Sequence, residues 1–138
     1  MNNKKFLNFG SLNQDMVYSV DHSVRPGETT ASSKLEFFCG GKGLNQSIAL
    51  AKAGARVFHS GCVGTDGDKL IAKLIENGVD ANLVKKCDMP SGHAIIQVDK
   101  NGQNSILLFG GANNRISEKQ IDEELSNFES GDRIFLQN

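Results

Sequence analysis

The sequence lacks a strong excess of charge and any long apolar run, and each absence excludes a class of protein. Fifteen Lys and Arg residues against sixteen Asp and Glu give a formal net charge of -1, so no overall basic field favours nucleic acid or an anionic membrane as a partner. The apolar runs are far too short to span a bilayer, and residues 1–5 are followed by no apolar signal-peptide stretch. We therefore expect a cytoplasmic protein that binds a small neutral or mixed-charge ligand.

Cysteine and histidine are also scarce. The three cysteines are Cys39, Cys62 and Cys87. Their odd number and the absence of Cys-x-x-Cys spacing argue against a disulfide framework and against a zinc site, so we expect them to be reduced and mostly buried. The three histidines are His22, His59 and His93. They share no ligand spacing and are expected to be surface or locally bonded residues, so no residue is assigned to a metal.

Glycine, by contrast, is abundant, with fifteen residues in 138. Residues 40–46 read Gly-Gly-Lys-Gly-Leu-Asn-Gln and lead into a helical pattern, which favours a binding site at a helix start. A Walker A loop is excluded because Lys42 is followed by glycine rather than Ser or Thr, and a dinucleotide fingerprint lacks its third small residue. A polyol or sugar site and a purely structural turn remain.

Strands and helices alternate along most of the chain. We expect strands at 6–9, 56–59, 83–85 and from 133, and helical stripes around 44–51, 70–75 and 121–125. Looser strands at 16–20 and 29–38, and a hairpin of 93–98 with 105–109, lie outside this alternation. The pattern predicts a mainly parallel α/β sheet with a small β flap. Because the last predicted strand stands at the end of the sequence, we expect a fragment.

Local signals mark the ends of these elements. Gly54 and Gly78 are expected to end the first two helices, and Thr65 or Asp66 to cap the second, a more natural role for Asp66 than that of a catalytic acid. Residues 117–120 form a capping box. The Asn-Gly sequence in the hairpin predicts a tight turn with positive φ angles. Two asparagines, at 113 and 114, are expected to stabilise the exit from this hairpin.

Three segments occur in an order and spacing that resemble the start of the ribokinase or PfkB family of sugar kinases. They are residues 10–15 (Gly-Ser-Leu-Asn-Gln-Asp), 26–29 (Pro-Gly-Glu-Thr) and 40–47 (Gly-Gly-Lys-Gly-Leu-Asn-Gln-Ser). The resemblance continues at 53–55, 61–67 and 110–113 and covers nearly the whole chain. Within the family, residues 40–46 most resemble ribokinases rather than adenosine kinases or the phosphofructokinase branch.

The resemblance implies a ribokinase-like layered α/β sheet with flanking helices and a small β lid. Residues 1–138 would be the N-terminal part of such a domain, truncated here, with lid strands around 16–38 and 93–109. The implied reaction transfers a phosphoryl group from Mg-ATP to the terminal hydroxyl of a sugar while the lid excludes water. Mg-ATP and a monovalent cation would serve the full-length enzyme, and neither is expected to bind fully in this chain. A homodimer formed through the lid is implied as well.

The resemblance also assigns five residues to the sugar: Asn13, Asp15, Gly41, Lys42 and Asn45. Their chemistry fits, because the Asp15 carboxylate can accept from two hydroxyls while the amides of Asn13 and Asn45 donate and accept. Without the resemblance, Asn13 and Asp15 are better explained as turn-capping residues. Lys42 has the plainer interpretation of a solvated cation.

One part of the family pattern is missing. The Gly-Ala-Gly-Asp segment that carries the family's catalytic base has no counterpart, nor do its Asn-x-x-Glu motif and nucleotide pocket. No catalytic residue is therefore assigned in this chain, which we expect to be inactive alone. The leading hypothesis is an ATP-dependent sugar kinase represented by its sugar-binding part, and the alternative is a non-catalytic sugar-binding or dimerisation module. Ribose is favoured over fructose, 2-keto-3-deoxygluconate and nucleosides.

Overall fold

The computed structural model describes residues 4–137, which form two four-stranded sheets and three α-helices. The strands are β1 (Lys5–Gly10), β2 (Asn13–Ser19), β3 (Lys34–Gly40), β4 (Arg56–Val63), β5 (Asp80–Lys86), β6 (Gly92–Val98), β7 (Asn104–Phe109) and β8 (Arg133–Gln137). The helices are α1 (Lys42–Lys52), α2 (Asp68–Glu76) and α3 (Glu118–Leu125), and a 3-10 helix spans Gly111–Arg115. No helix within residues 4–137 is long and apolar enough to cross a bilayer.

The first sheet has the strand order β5-β4-β1-β8, and every neighbouring pair is parallel. This confirms the predicted α/β class. Residues of α1, α2 and the sheet enclose the core, whose fully buried members include Leu12, Leu44, Val57, Val63, Leu70 and Leu74. On α3, the side-chain amide of Gln120 donates to the carbonyl of Gly61 on β4 at 3.4 Å. The sheet is thus layered with helices, as expected.

The second sheet has the order β3-β2-β6-β7 and differs in detail from the prediction. The β6–β7 hairpin is antiparallel as predicted, but β2 also pairs in parallel with β6, which brings the early strands beside the hairpin. Residues 29–33 are not part of a strand. Strand β3 pairs with β2 only from Lys34 onwards, because β2 ends at Ser19. The Ser33 amide donates to the Ser19 carbonyl at 2.9 Å at this end of the pairing.

The hairpin loop was predicted correctly in place but not in form. It spans residues 99–103, and only Gly102 has a positive φ, at 79°. Asn101 has a negative φ, and side-chain hydrogen bonds stabilise the loop. The Asp99 carboxylate accepts hydrogen bonds from the amides of Asn101 and Gln103, at 2.8 and 3.0 Å. The loop is thus stabilised by Asp99, and not by the positive φ angles that were expected at both Asn101 and Gly102.

The predicted helix ends are confirmed for α1 and α2. Gly54 and Gly78 have φ values of 87° and 79°. After α1, the Ala55 amide donates to the Leu50 carbonyl at 3.1 Å, and after α2 the Val79 amide donates to Leu74 at 3.1 Å. These are the six-to-one bonds of a Schellman ending, which needs a left-handed residue that glycine adopts without strain.

The helix starts are only partly as predicted. The N-cap of α2 is Gly67, without a side-chain cap, so neither Thr65 nor Asp66 caps this helix. The Asp66 carboxylate instead accepts from the Ser91 amide at 2.9 Å. For α3, the Ser117 hydroxyl accepts from the Gln120 amide as predicted. The reciprocal half of the capping box is absent among the described residues, because the Gln120 side chain donates to Glu124 at 2.9 Å.

Burial differs from expectation at two places. Cys39, Cys62 and Cys87 are free thiols, but only Cys62 is buried, so the expectation of mostly buried cysteines was wrong. The strand β8 forms where predicted, yet Leu136 is 78% exposed because β8 pairs on one side only, with β1. Its apolar sequence therefore lies at an edge of the sheet rather than in the core.

Candidate functional site

The first turn of α1 lies directly against the turn that follows β1. Gly41, with a φ of 100°, precedes the helix without a side-chain cap. The Leu44 amide donates to the Ser11 carbonyl at 3.0 Å. A Cβ atom at Gly43 would stand 2.4 Å from the carbonyl carbon of Gly10 and 2.5 Å from the Ser11 nitrogen. Glycine is therefore required at position 43, because backbone atoms occupy the place of a side chain.

A buried polar chain lies beneath this contact. The Asn8 amide donates to the Gly43 carbonyl at 3.0 Å and to the Ser47 hydroxyl at 2.8 Å. The Ser47 hydroxyl is 2.7 Å from Nδ1 of His59, and Nε2 of His59 is 3.2 Å from the Gly10 carbonyl. These contacts fit one direction of donation, from Asn8 through Ser47 and His59 to Gly10. The chain links β1, α1 and β4 below the glycine turn.

His59 was wrongly expected to be a surface or locally bonded residue. It is fully buried, and its partners lie 12 and 49 residues away in the sequence. Burial lowers the pKa of His59 from 6.5 to about 4, although its hydrogen bond to Gly10 opposes this shift. The imidazole is therefore neutral at pH 7. The signal in the sequence was a polar Asn8 inside an apolar strand, which needed a buried partner.

Asn13 and Asp15 extend from the same face of β2, next to the glycine turn. Cα pairing places Asn13 opposite Gly40, and a Cβ atom at Gly40 would stand 2.0 Å from the Asp15 carboxylate. Asp15 is half-buried and has no hydrogen-bond or ion-pair partner among residues 4–137. Burial raises its pKa. A partly desolvated carboxylate without a partner is suited to accept hydrogen bonds from a ligand.

Lys42 and Asn45 lie on the exposed first turn of α1, three residues apart. Residues at this spacing share a helix face. Neither side chain has a hydrogen-bond or ion-pair partner within the described part of the chain. A cation at the positive end of a helix is not stabilised by the helix dipole. The structure thus brings Asn13, Asp15 and Gly41 together, with Lys42 and Asn45 on the turn that begins beside them.

An apolar surface continues from this polar group across the second sheet. The register pairs Asp15 on β2 with Ala94 on β6, and Ala94 with Leu108 on β7. Two residues further along β6, Ile96 pairs with Ile106. Paired residues project from the same face of a sheet, so these side chains share the face of Asp15. Ile106 and Leu108 are exposed. The face therefore combines hydrogen-bonding groups at one end with an uncovered apolar surface.

The two sheets are joined next to the candidate site. The buried Ser91 hydroxyl accepts from the Gly64 amide at 2.9 Å, while the Ser91 amide donates to Asp66. The side chain of Gln14 donates to the Asp66 carbonyl at 2.9 Å. Hydrogen bonds lower the pKa of Asp66 although burial, the largest single influence, raises it. Asp66 therefore connects β2 and β6 to the turn after β4, a structural role.

A cavity of about 540 Å³ lies between β1, β8 and α3, and its lining includes Gly10, Ser11 and Asn113 next to the candidate site. Apolar side chains form most of its wall, among them Phe9, Ile121 and Leu136. It contains none of the five residues assigned to the sugar. Because apolar walls cannot pair the hydroxyls of a polyol, the polar group beside the glycine turn is the better candidate for such a ligand.

Comparison with known proteins identifies the family. The sequence matches the pfkB family carbohydrate kinases over residues 3–138. The chain belongs to this family. It is 34% identical over 131 residues to the ribokinase of Haemophilus influenzae, covering 93% of this chain and 43% of that protein. The chain thus spans less than half the length of this curated relative.

Solved structures of family members share the fold. The ribokinase of Cryptococcus neoformans var. grubii serotype A in complex with ADP aligns with a TM-score of 0.71 and 41% identity, over 79% of this chain and 35% of that chain. The Arabidopsis thaliana ribokinase complexed with ribose and ATP aligns with a TM-score of 0.70 and 33% identity, over 80% of this chain and 37% of that one. The ribokinase-like fold predicted for this pfkB family chain is confirmed.

The close backbone contact gives the first prediction. Replacing Gly43 by Ala is expected to destabilise the protein by about 2–3 kcal/mol and to displace the first turn of α1, since backbone atoms must move to admit the Cβ. Urea denaturation monitored by circular dichroism measures the loss.

Gly54→Ala is the matched control at the other end of α1. It has a positive φ but no atom within 4 Å of the new Cβ, so it should cost only about 1 kcal/mol of backbone strain. Equal losses for the two variants would contradict the role of the close contact.

The buried histidine gives a second prediction. Because its folded pKa of about 4 lies below its ordinary 6.5, stability from the neutral His59 is fully present above pH 6.5 and is lost as the pH falls towards 4, by about 3 kcal/mol in all. His59→Gln removes this titration, so its unfolding free energy should fall less steeply over that interval.

His22→Gln is the control for this measurement. Hydrogen bonds to Glu28 and Asp21 raise the pKa of the partly exposed His22, so its removal should change the pH dependence in the opposite sense. Identical pH profiles for wild-type protein and His59→Gln would refute a neutral buried imidazole.

Proposed function

We propose that this chain is the sugar-binding N-terminal part of an ATP-dependent, ribokinase-like kinase that phosphorylates the terminal hydroxyl of a sugar. The observation that carries the proposal is the pair of Asn13 and Asp15 beside the glycine turn, where the Nδ2 group of Asn13 and the carboxylate of Asp15 have no hydrogen-bond partner among residues 4–137. Membership of the pfkB family gives the class of reaction. The proposal goes further by assigning these residues to the sugar.

Each proposed residue has a distinct role towards the sugar. The Asp15 carboxylate accepts from sugar hydroxyls, and the amides of Asn13 and Asn45 complete the pairing. Gly41 contacts the sugar through its backbone, in a turn that lies so close to Ser11 that a Cβ would stand 2.6 Å from the Ser11 carbonyl oxygen, and Lys42 donates from the first turn of α1. A site that pairs hydroxyls in this way discriminates against sugars that lack them, because its own polar groups would remain unsatisfied. Ribose is the proposed substrate.

The second sheet, including the strands within 16–38 and 93–109, is proposed to act as a lid. Its apolar side chains on the face of Asp15, such as Ile106 and Leu108, would cover the sugar and exclude water from the transferred phosphate. Water exclusion also strengthens the hydrogen bonds of Asp15, because a lower local dielectric increases charge-assisted interactions.

The catalytic base, ATP and its Mg²⁺ are assigned to parts of the kinase outside this chain. Within residues 4–137, no group of three or more His, Cys, Asp and Glu side chains is arranged to hold a metal ion. No Gly-Ala-Gly-Asp segment occurs in the sequence. We therefore propose no residue of this chain as a ligand of the nucleotide or the metal, and we expect no turnover by this chain alone. A reading frame that stops at Asn138 would instead favour a non-catalytic sugar-binding module.

The same sheet is proposed to form a homodimer contact. The register aligns Phe37, Met16, Ile95 and Leu107 across all four strands on the face opposite Asp15. Phe37 is 66% and Leu107 67% exposed. Within residues 4–137, both outer strands, β3 and β7, also have an unpaired edge. A second copy of the chain would cover this apolar stripe and protect these edges.

Asp15→Asn tests the sugar assignment in the enzyme encoded by the complete reading frame. The change keeps the shape and removes the charge, so the KM for ribose should rise about 10- to 100-fold, the value of a hydrogen bond to a charged group, while the KM for ATP stays unchanged. Asp21→Asn, at an exposed carboxylate after β2, is the matched control. Unaltered ribose kinetics in Asp15→Asn would refute the assignment.

Leu107→Lys tests the dimer. A charge in the apolar stripe should convert the dimer to a monomer in light scattering after size-exclusion chromatography. Lys100→Ala, in the exposed hairpin loop, should leave the mass unchanged. A monomeric wild-type protein, or a Leu107→Lys variant that remains dimeric, would contradict this contact.

A further inference from the structure

Asn113 lies in the 3-10 helix that follows β7 and contacts the candidate site from behind. Its Oδ1 accepts from the Leu12 amide at 2.9 Å, and its Nδ2 donates to the Leu12 carbonyl at 3.3 Å. The same Nδ2 donates to Oδ1 of Asn13 at 2.7 Å. One side chain therefore bonds both backbone groups of Leu12 and the side chain of the neighbouring residue.

The backbone of Leu12 determines which way these amides face. A backbone N–H is always a donor, so the atom of Asn113 that faces it must be the oxygen. The Nδ2 group of Asn113 then faces Asn13, which must present its own oxygen in return. The orientation of both side-chain amides thus follows from a group that cannot be reversed.

The consequence appears at the other end of Asn13. With Oδ1 bonded to Asn113, the Nδ2 group of Asn13 has no hydrogen-bond partner among residues 4–137. Two residues along the strand, Asp15 presents an ionisable carboxylate that is also unpartnered. The face therefore offers a donor at one position and, when ionised, only acceptors at the other.

The packing around Asn113 leaves space for this arrangement and for little else. A Cβ atom at Gly92, which pairs with Asn13 across β2 and β6, would stand 2.0 Å from Nδ2 of Asn113 and 2.5 Å from Oδ1 of Asn13. Gly92 is buried. The contact between the two amides thus occupies the place of a side chain in β6.

We propose that Asn113 is a positioning residue that fixes Asn13 as a hydrogen-bond donor and so determines which sugar hydroxyl the site accepts. This rests on the proposed sugar site. The hydroxyl against Asn13 acts as an acceptor, and the hydroxyl against Asp15 acts as a donor. Fluorine accepts weakly and cannot donate, so a deoxyfluoro sugar keeps affinity when the substitution faces Asn13 and loses it when the substitution faces Asp15.

Asn113→Asp tests the proposal because it reverses the amide of Asn13. The introduced carboxylate still accepts from Leu12 but can no longer donate, so Asn13 must turn its Nδ2 inwards and present its oxygen to the sugar. Affinities for ribose and for its monodeoxyfluoro analogues are measured by calorimetry with the protein of the complete reading frame. The ratio of ribose to fluoro-analogue affinity should rise at least about 10-fold at one ring position only. Asn114→Asp, the same change one residue later, should leave every ratio unchanged.

Hydrogen exchange of the side-chain amides tests the orientation of Asn13 and Asn113 without any sugar. In wild-type protein the side-chain NH₂ of Asn113 should be protected from hydrogen exchange and that of Asn13 should exchange fast; in Asn113→Asp the Asn13 group should become protected. If Asn113→Asp does not fold, Asn113→Ala should leave Asn13 free to turn and give an intermediate affinity ratio. A protected Asn13 amide in the wild type overturns the proposal.

The calorimetric experiment distinguishes a failure of the positioning role of Asn113 from a failure of the proposed sugar site. If wild-type protein binds ribose but Asn113→Asp leaves every affinity ratio unchanged, the positioning role is wrong and the sugar site stands. If wild-type protein binds no sugar while the amides exchange as described, the proposed function is wrong.

Discussion

The first turn of α1 meets the turn after β1 with no side chain between the two backbones. Because Gly43 has no Cβ, the helix start can lie against Gly10 and Ser11, and the Ser11 carbonyl receives the Leu44 amide. This contact aligns the glycine turn with the start of β2, where Asn13 and Asp15 project. The position of every residue proposed to bind sugar depends on it.

Polar groups above and below this contact serve different purposes. Below it, hydrogen bonds within the buried chain from Asn8 to His59 connect β1, α1 and β4, so this chain contributes stability rather than binding. Above it, Asp15 is left without a partner among the described residues. An unpaired, half-buried carboxylate costs free energy in the empty protein. That cost is recovered when a ligand pairs it, which is typical of a binding site.

Local signals in the sequence were sufficient for elements with regular patterns. The parallel sheet, the hairpin and the glycine endings of α1 and α2 follow from short-range chemistry, whereas Asn13 and Asp15 were assigned to the sugar through the family resemblance and remain a prediction. Contacts between distant residues were not predictable in this way. The parallel pairing of β2 with β6, the burial of His59 and the bond between Asn113 and Asn13 join residues 12 to 100 positions apart. Asp66 was misassigned for the same reason, since its partner Ser91 lies 25 residues away.

In the proposed function, the residues beside the glycine turn bind a sugar and the nucleotide binds elsewhere. Titration of the isotope-labelled 138-residue chain with ribose and, separately, with ATP tests both parts by the shifts of assigned backbone amides. Ribose is expected to shift the resonances of Asn13, Asp15 and Gly41, and ATP is expected to leave them unchanged. Shifts of these residues with ATP, or ribose shifts confined to the apolar cavity around Phe9 and Leu136, would contradict the proposed function.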